Sequence, residues 1–180
     1  NVEPDMTMFG KALGNGYAIT AVIGKREIMQ EAQSTFISST FWTERIGPSA
    51  ALKTLEVMKR EKSWEKITQI GGTISEIWKK LGQKYQIPIS VFGLPALINF
   101  KFNSKFNLEY KTFITQEMLK KGYLAANSVY VCTEHNPNIL EGYEKVLDHV
   151  FKLIAECENG RSIDKLLEGP ICNMNFQRLS

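Results

Sequence analysis

Hydrophobic residues recur at helical spacing in two neighbouring stretches, residues 48–59 and residues 63–82, and both predict amphipathic helices. Ser63 is a candidate cap for the second helix and Gly82 a candidate end. The adjacent glycines at 71 and 72 disfavour helix in its middle. The apolar faces contain Ala51, Leu52, Leu55 and Met58 in the first stretch, and Trp64, Ile67, Ile70, Ile74, Ile77, Trp78 and Leu81 in the second.

The same period predicts two further helices nearer the carboxyl end. Residues 108–121 form one, ended by Gly122. Residues 139–157 form the other, with Asn138 as the expected N-cap.

Strands are expected where β-branched and aromatic residues cluster. The run Ala18–Ile23 is apolar throughout, which is typical of a strand covered on both faces in an α/β protein, and residues 25–33 follow it as a short helix. Ile87–Phe92 and Ala96–Phe102 predict two strands joined by a turn, and residues 123–132 contain another short strand. Residues 1–60 are therefore expected to be part of a glycine-broken α/β domain, and residues 61–180 a small α+β unit.

Composition excludes several classes of protein. The 180 residues carry 22 basic and 19 acidic side chains, and the basic ones are scattered without an aromatic-interleaved stripe, so nucleic-acid binding is not expected. Three widely spaced cysteines predict neither a disulfide framework nor a zinc site, and favour a reducing, cytoplasmic setting. No apolar run is long enough to cross a bilayer, and no basic-then-apolar leader opens the chain.

The chemistry is concentrated near the start, in "PDMTMFGKALGNGYAITAVIGKREIM", Pro4 to Met29. Lys11 lies between an apolar turn and a glycine cluster. Partial desolvation there would lower the lysine pKa from about 10.4 and release a nucleophilic amine, as Schiff-base chemistry needs. Gly14 and Gly16 permit turns with positive φ and the close approach of a flat ring. The residues alone leave open that Lys11 is an ordinary surface lysine beside a turn.

The string "PDMTMFGKALGNGY" resembles the cofactor-lysine segment of class III pyridoxal-phosphate (PLP) aminotransferases. The stretch "SSTFWTERIGPSAALKTLEVM", Ser38 to Met58, resembles that family's threonine loop and following helix, and "GPICNMNFQRLS" resembles its carboxyl terminus. The glycine pattern and the helix after the loop are most similar to the glutamate-1-semialdehyde 2,1-aminomutase branch. The resemblance implies an α/β fold, the carboxy-terminal part of a fold type I PLP-dependent transferase. Residues 1–60 would be the end of its large PLP-binding domain and residues 61–180 its small α+β domain.

The same resemblance implies roles for three residues. Lys11 would form a Schiff base with PLP and move a proton between substrate and cofactor. Thr40 would reach the cofactor phosphate of the partner subunit in a homodimer, with Ser39 as its close competitor. For Thr40 the residues alone favour a loop hydroxyl bonded to its own backbone. The substrate would be a small amino or keto compound.

One segment departs from the family pattern. Small residues usually follow the loop threonine, but here Trp42, Glu44 and Arg45 are large or charged. They would either reshape the substrate entrance or pair with each other at the dimer surface.

In this family the aspartate that pairs with the pyridine nitrogen, the phosphate loop and the stacking ring all lie before the lysine. The chain enters its motif at once and has no initiator methionine. We therefore expect it to be part of a longer enzyme that contains half of the site. The alternative is a non-catalytic interaction module that binds no cofactor.

Overall fold

The computed structural model describes residues 2–37 and 40–173. The chain divides into two compact units, Asn1–Ser63 and Trp64–Ser180. The assignment of these units to the domains of a whole enzyme stays a prediction.

The first unit is built on a two-stranded antiparallel sheet. Strand β1 (Met6–Phe9) pairs with β2 (Ala21–Gly24), and the register runs from Met6 opposite Gly24 to Phe9 opposite Ala21. Helix α1 (Arg26–Gln30) and a 3-10 turn follow β2. Helix α2 (Ile46–Glu61) completes the unit, and its C-cap residue, Lys62, has a left-handed φ of 48°.

The prediction of a strand covered on both faces is wrong for this unit. Strand β2 begins only at Ala21, and the side chains of Val22 and Ile23 remain 45% and 57% exposed. The reason is that the sheet has two strands, so no second layer covers both of its faces among the described residues. Its antiparallel partner β1 was not predicted from the sequence, because the four residues of β1 are too few to show a period.

The second unit is a three-stranded antiparallel sheet with three helices. Its elements in chain order are α3 (Ser63–Lys84), β3 (Ile89–Leu94), β4 (Leu97–Phe102), α4 (Asn107–Lys120), β5 (Ser128–Tyr130) and α5 (Pro137–Glu158). The strand order is β3-β4-β5. The central strand β4 alternates, with Ile98, Phe100 and Phe102 buried. Such alternation is typical of a sheet covered on one face.

The core of the second unit forms where helices meet the buried face of β4. The ring centroid of Phe100 lies 4.6 Å from that of Trp78 in α3 and 6.1 Å from that of Phe151 in α5. Inside the core, Nε1 of Trp78 donates a hydrogen bond of 2.8 Å to the hydroxyl of Tyr143. Trp78, Phe100 and Phe151 are fully buried, so the periodic faces of α3 and α5 are core faces as predicted.

Several boundaries differ from those predicted. The N-cap of α5 is Asn136 and not Asn138, because Asn136 accepts a hydrogen bond of 3.1 Å from the amide of Ile139. Pro137 then occupies the first helical position, where a missing N–H costs nothing. Strand β3 starts at Ile89 because the N–H of Ile87 instead donates to the carbonyl of Gly82.

Candidate active site

Lys11 lies on the connection between the two strands of the first unit. It opens a 3-10 helix, Lys11–Leu13, two residues after the end of β1. Its φ of 48° is left-handed, a conformation that costs a non-glycine residue of order 1–3 kcal/mol and that concentrates at functional sites. The backbone therefore holds Lys11 in an unusual and well-defined position.

The turn around Lys11 is closed by backbone hydrogen bonds and by glycine. The amide of Gly14 donates to the carbonyl of Lys11 at 3.3 Å, and the amide of Tyr17 donates to Gly14 at 3.1 Å. A Cβ at Gly14 would overlap the carbonyl oxygen of Tyr17. Gly16 has a φ of +106°, which favours glycine. The prediction of a positive φ is wrong for Gly14, whose φ is −88°; glycine is needed there for the close approach of the Tyr17 carbonyl, and only Gly16 has the predicted positive φ.

An ion pair links the residue before β1 to the residue after β2. Nζ of Lys25 lies 2.7 Å from Oδ1 of Asp5, and the amide of Lys25 donates to the carbonyl of Asp5 at 3.0 Å. Asp5 is therefore engaged with Lys25. Among the residues that the structure describes, the Lys11 ammonium has no hydrogen-bond or ion-pair partner.

The expectation that Lys11 is partly desolvated is wrong for this chain. Lys11 is exposed, and its neighbour Phe9 is 45% exposed. The strand connection projects from a two-stranded sheet, and nothing among residues 2–37 and 40–173 covers it. The amine is accessible to a ligand.

The threonine loop leads directly into α2. Thr40 is exposed and begins a turn, in which the amide of Glu44 donates to the carbonyl of Phe41 at 3.2 Å. Ser39 lies outside the described residues, so its competition with Thr40 stays a prediction.

Glu44, one of the departures from the family pattern, caps helix α2. One of its carboxylate oxygens accepts from the amide of Ile46, and the other accepts from the amide of Gly47 at 2.9 Å. Neither of the two expected uses of Glu44 anticipated this contact. The signal in the sequence was an acidic residue placed just before a helix with Pro48 in its first turn.

The Lys11 turn and α2 pack against each other within the first unit. The 3-10 helix Lys11–Leu13 contacts α2. At the start of α2, a Cβ on Gly47 would lie 2.7 Å from the carbonyl oxygen of Ala18. Gly47 is therefore required for close contact between α2 and the segment that leads from Lys11 to β2.

His135 lies in the loop before α5, in the second unit. Nδ1 of His135 accepts a hydrogen bond of 3.2 Å from the amide of Cys132, so that nitrogen is occupied. His135 borders a largely apolar cavity of about 510 Å³ that also contains Tyr143. Cys157 is buried, whereas Trp64, predicted to lie on a core face, is 49% exposed.

The part of the chain that the structure describes lacks a metal-binding cluster and a membrane-spanning helix. No group of three or more His, Cys, Asp or Glu residues there is arranged to hold a metal ion. None of its helices combines the length and apolar character needed to cross a membrane.

Comparison with known proteins supports the resemblance noted from the motifs. The chain is 34% identical over 143 residues to the 3-aminobutyryl-CoA aminotransferase of Cloacimonas acidaminovorans, which covers 74% of this chain and 34% of that protein. It is 27% identical over 168 residues to the glutamate-1-semialdehyde 2,1-aminomutase of Methanococcus maripaludis, covering 84% of this chain and 39% of that protein. The chain thus spans little more than a third of the length of these relatives.

The fold is shared with a solved PLP protein. The FumI protein of Sphingopyxis sp. MTA144, solved in its PLP internal aldimine form, superposes with a TM-score of 0.78 at 18% identity, covering 92% of this chain and 41% of that one. The predicted fold class, the carboxy-terminal part of a fold type I transferase, is confirmed. The relatives include both an aminotransferase and aminomutases, so they do not separate the two reactions.

The sequence profile of the family described as aminotransferase class-III matches residues 1–138, which include Lys11, Thr40 and Glu44. The family prediction is confirmed, and pyridoxal phosphate is the cofactor that it implies. The chain belongs to the class III aminotransferase family.

Proposed function

We propose that the full-length protein is a PLP-dependent aminotransferase or aminomutase in which Lys11 binds the cofactor covalently. The observation that carries the proposal is the position of Lys11: an accessible amine on a left-handed turn that glycine and backbone hydrogen bonds define. This turn lies inside the region that matches the family. An accessible, unpaired amine on a backbone held in one conformation suits the aldehyde of PLP, since the nucleophile must approach from one defined direction.

Two side chains of this chain would have separate roles, the amine of Lys11 in proton transfer and the hydroxyl of Thr40 in phosphate binding. Nζ of Lys11 would hold PLP covalently. Once the amino group of the substrate had replaced it there, the freed amine would be available to accept the proton from the substrate α-carbon. PLP, when bound, supplies the electron sink that stabilises the electrons left at that carbon. Because Lys11 is exposed, the site would need to be covered by the rest of the polypeptide or by another subunit. That cover would exclude water from the reacting atoms.

We assign Thr40 to the cofactor phosphate of the partner subunit in a homodimer. Its support is the exposure of Thr40 at the start of a turn, which leaves the side chain open to a neighbouring molecule. A hydroxyl and nearby backbone amides suit a phosphate dianion. Ser39 is the alternative donor.

The substrate would be a small amino or keto compound, and the reaction either a transfer between two molecules or an internal shift. The aminomutase-like proposal rests on the glycine pattern of the Lys11 motif and on relatives such as the Methanococcus enzyme. The relative from Cloacimonas supports transfer between two molecules. Omitting the amino acceptor separates them: an aminomutase converts glutamate-1-semialdehyde without a keto acid, whereas an aminotransferase requires one.

The assignment of Lys11 is tested with Lys11→Ala in the full-length protein. We expect the wild type to be yellow, and Lys11→Ala to lose the Schiff-base absorption and at least about 100-fold in turnover, as removal of a general base does. The matched control is Lys25→Ala, which removes a lysine from the same unit and breaks only an exposed ion pair. It should keep both colour and turnover. Normal turnover in Lys11→Ala contradicts the proposal, and a colourless wild type favours the non-catalytic alternative.

A further inference from the structure

We propose that Glu44 is a positioning residue that fixes the Thr40 loop for binding of the cofactor phosphate. This inference rests on the proposed role of Thr40. Glu44 touches neither PLP nor substrate in the proposal and acts only through the loop.

Glu44 is attached to both sides of the junction between loop and helix. Its backbone amide closes the turn by donating to the carbonyl of Phe41 at 3.2 Å. Its carboxylate accepts from the first two helical amides, those of Ile46 and Gly47. One half-buried residue therefore holds the turn of residues 41–44, which directly follows Thr40, against the start of α2.

The amino end of α2 has no other carboxylate cap. Arg45, at the N-cap position, makes no side-chain capping bond, and the first turn of the helix contains no acidic residue. A carboxylate on free amides at the positive end of a helix makes charge-assisted hydrogen bonds. Loss of the Glu44 carboxylate would leave these amides to water, and the turn of residues 41–44, still closed by its backbone bond, would be free to move relative to α2.

The start of α2 is held in place by its packing within the first unit. A carboxylate bound to its amides therefore links the loop to a fixed part of that unit. Gly47 is buried, and a Cβ there would lie 2.7 Å from the carbonyl oxygen of Ala18. The same helix contacts the 3-10 helix that begins with Lys11. Glu44 thereby sets the position of Thr40 relative to a framework that also contains the cofactor lysine of its own chain.

The test measures the dissociation constants of PLP and of pyridoxal, which lacks the phosphate, in apo full-length protein. Glu44→Gln keeps the side-chain length but places an NH₂ where one amide needs an acceptor. We expect PLP to bind about five- to tenfold more weakly, as for loss of a helix cap, and pyridoxal to bind as it does to the wild type. In a protein that already carries Thr40→Val, Glu44→Gln should not weaken PLP binding any further. Glu56→Gln, which removes an exposed carboxylate from α2, is the matched control and should change neither constant.

Unchanged PLP affinity in Glu44→Gln overturns the inference, as does equal weakening of PLP and pyridoxal, which would mark general damage. If Thr40→Val itself binds PLP normally, the proposed role of Thr40 fails and the inference with it. If Glu44→Gln does not fold, Glu44→Asp replaces it: its charged but shorter side chain should weaken PLP binding two- to threefold, and no change would again overturn the inference.

Discussion

The buried hydrogen bond between Trp78 and Tyr143 couples helices α3 and α5 within the core. Trp78→Phe removes the donor and leaves the Tyr143 hydroxyl without that bond, and Tyr143→Phe leaves Nε1 of Trp78 unpaired. Each change should lower the free energy of unfolding by about 1–3 kcal/mol. The double variant should be more stable than the sum of the two losses predicts, by about 1 kcal/mol. Chemical denaturation of the four proteins measures this coupling, and strictly additive losses would show that the bond contributes nothing.

We expect the phenols of Tyr143 and Tyr110 to lower the stability of the folded protein at high pH. Burial raises the pKa of both groups in the folded protein, whereas in the unfolded chain a phenol ionises near pH 10. Above that pH the unfolded state loses protons that the folded state retains, so the free energy of unfolding decreases by up to about 1.4 kcal/mol per pH unit for each phenol. Tyr143→Phe should reduce this slope between pH 10 and 12. An unchanged slope would refute the attribution to Tyr143.

The sequence allowed Lys11 to be predicted but not its surroundings. The residues around Lys11 left its role open, and the prediction came from the resemblance of residues 4–17 to a family segment, which the order of residues is enough to show. The exposure of Lys11 depends on which parts of the protein cover the β1–β2 connection. The residues near Lys11 in the sequence do not indicate this. The cap formed by Glu44 was missed because its meaning depends on where α2 begins, and helix ends are the least certain part of a sequence-based prediction.

Two adjacent glycines of helix α3, Gly71 and Gly72, differ in the space that is available for a side chain. A Cβ at Gly71 would overlap the carbonyl oxygen of Pro95 in the β3–β4 turn, whereas a Cβ at Gly72 would meet nothing within 4 Å. Gly71→Ala should therefore destabilise the protein by about 1–3 kcal/mol through overpacking. Gly72→Ala should stabilise it by about 0.5–1 kcal/mol, since alanine is the better helix former. Thermal unfolding of the two variants measures their melting temperatures. Equal shifts of these temperatures from the wild-type value would contradict the contact at Pro95.

The helices were predictable where burial follows the helical period. In α3 and α5 the periodic residues include Trp78, Leu81, Leu147 and Phe151, and all four are buried. In α2 the same period is present, but Leu52 and Leu55 are 71% and 52% exposed. A period indicates which face is apolar, and only tertiary structure determines what covers it.

At the scale of the whole molecule, the proposed exchange of Thr40 between subunits predicts complementation. In a mixed dimer of Lys11→Ala and Thr40→Val subunits, one site combines an intact Lys11 with the partner's intact Thr40. Mixing the two variants by unfolding and refolding should therefore restore a fraction of sites with wild-type affinity for PLP. If Thr40 serves its own subunit, no complete site forms and no tight binding returns. A mixture of wild type with the doubly substituted chain is the control, since its mixed dimers lack any complete site if Thr40 crosses between subunits.

The central claim is that Lys11 is the residue that holds the cofactor, and its most direct test is chemical. Borohydride reduction of the full-length protein with PLP bound, followed by proteolysis and mass spectrometry, locates the attached phosphopyridoxyl group. The proposed function predicts one modified lysine, Lys11, in the peptide between β1 and β2, with Lys25 unmodified. Attachment to any other lysine, or no attachment at all, would contradict the account.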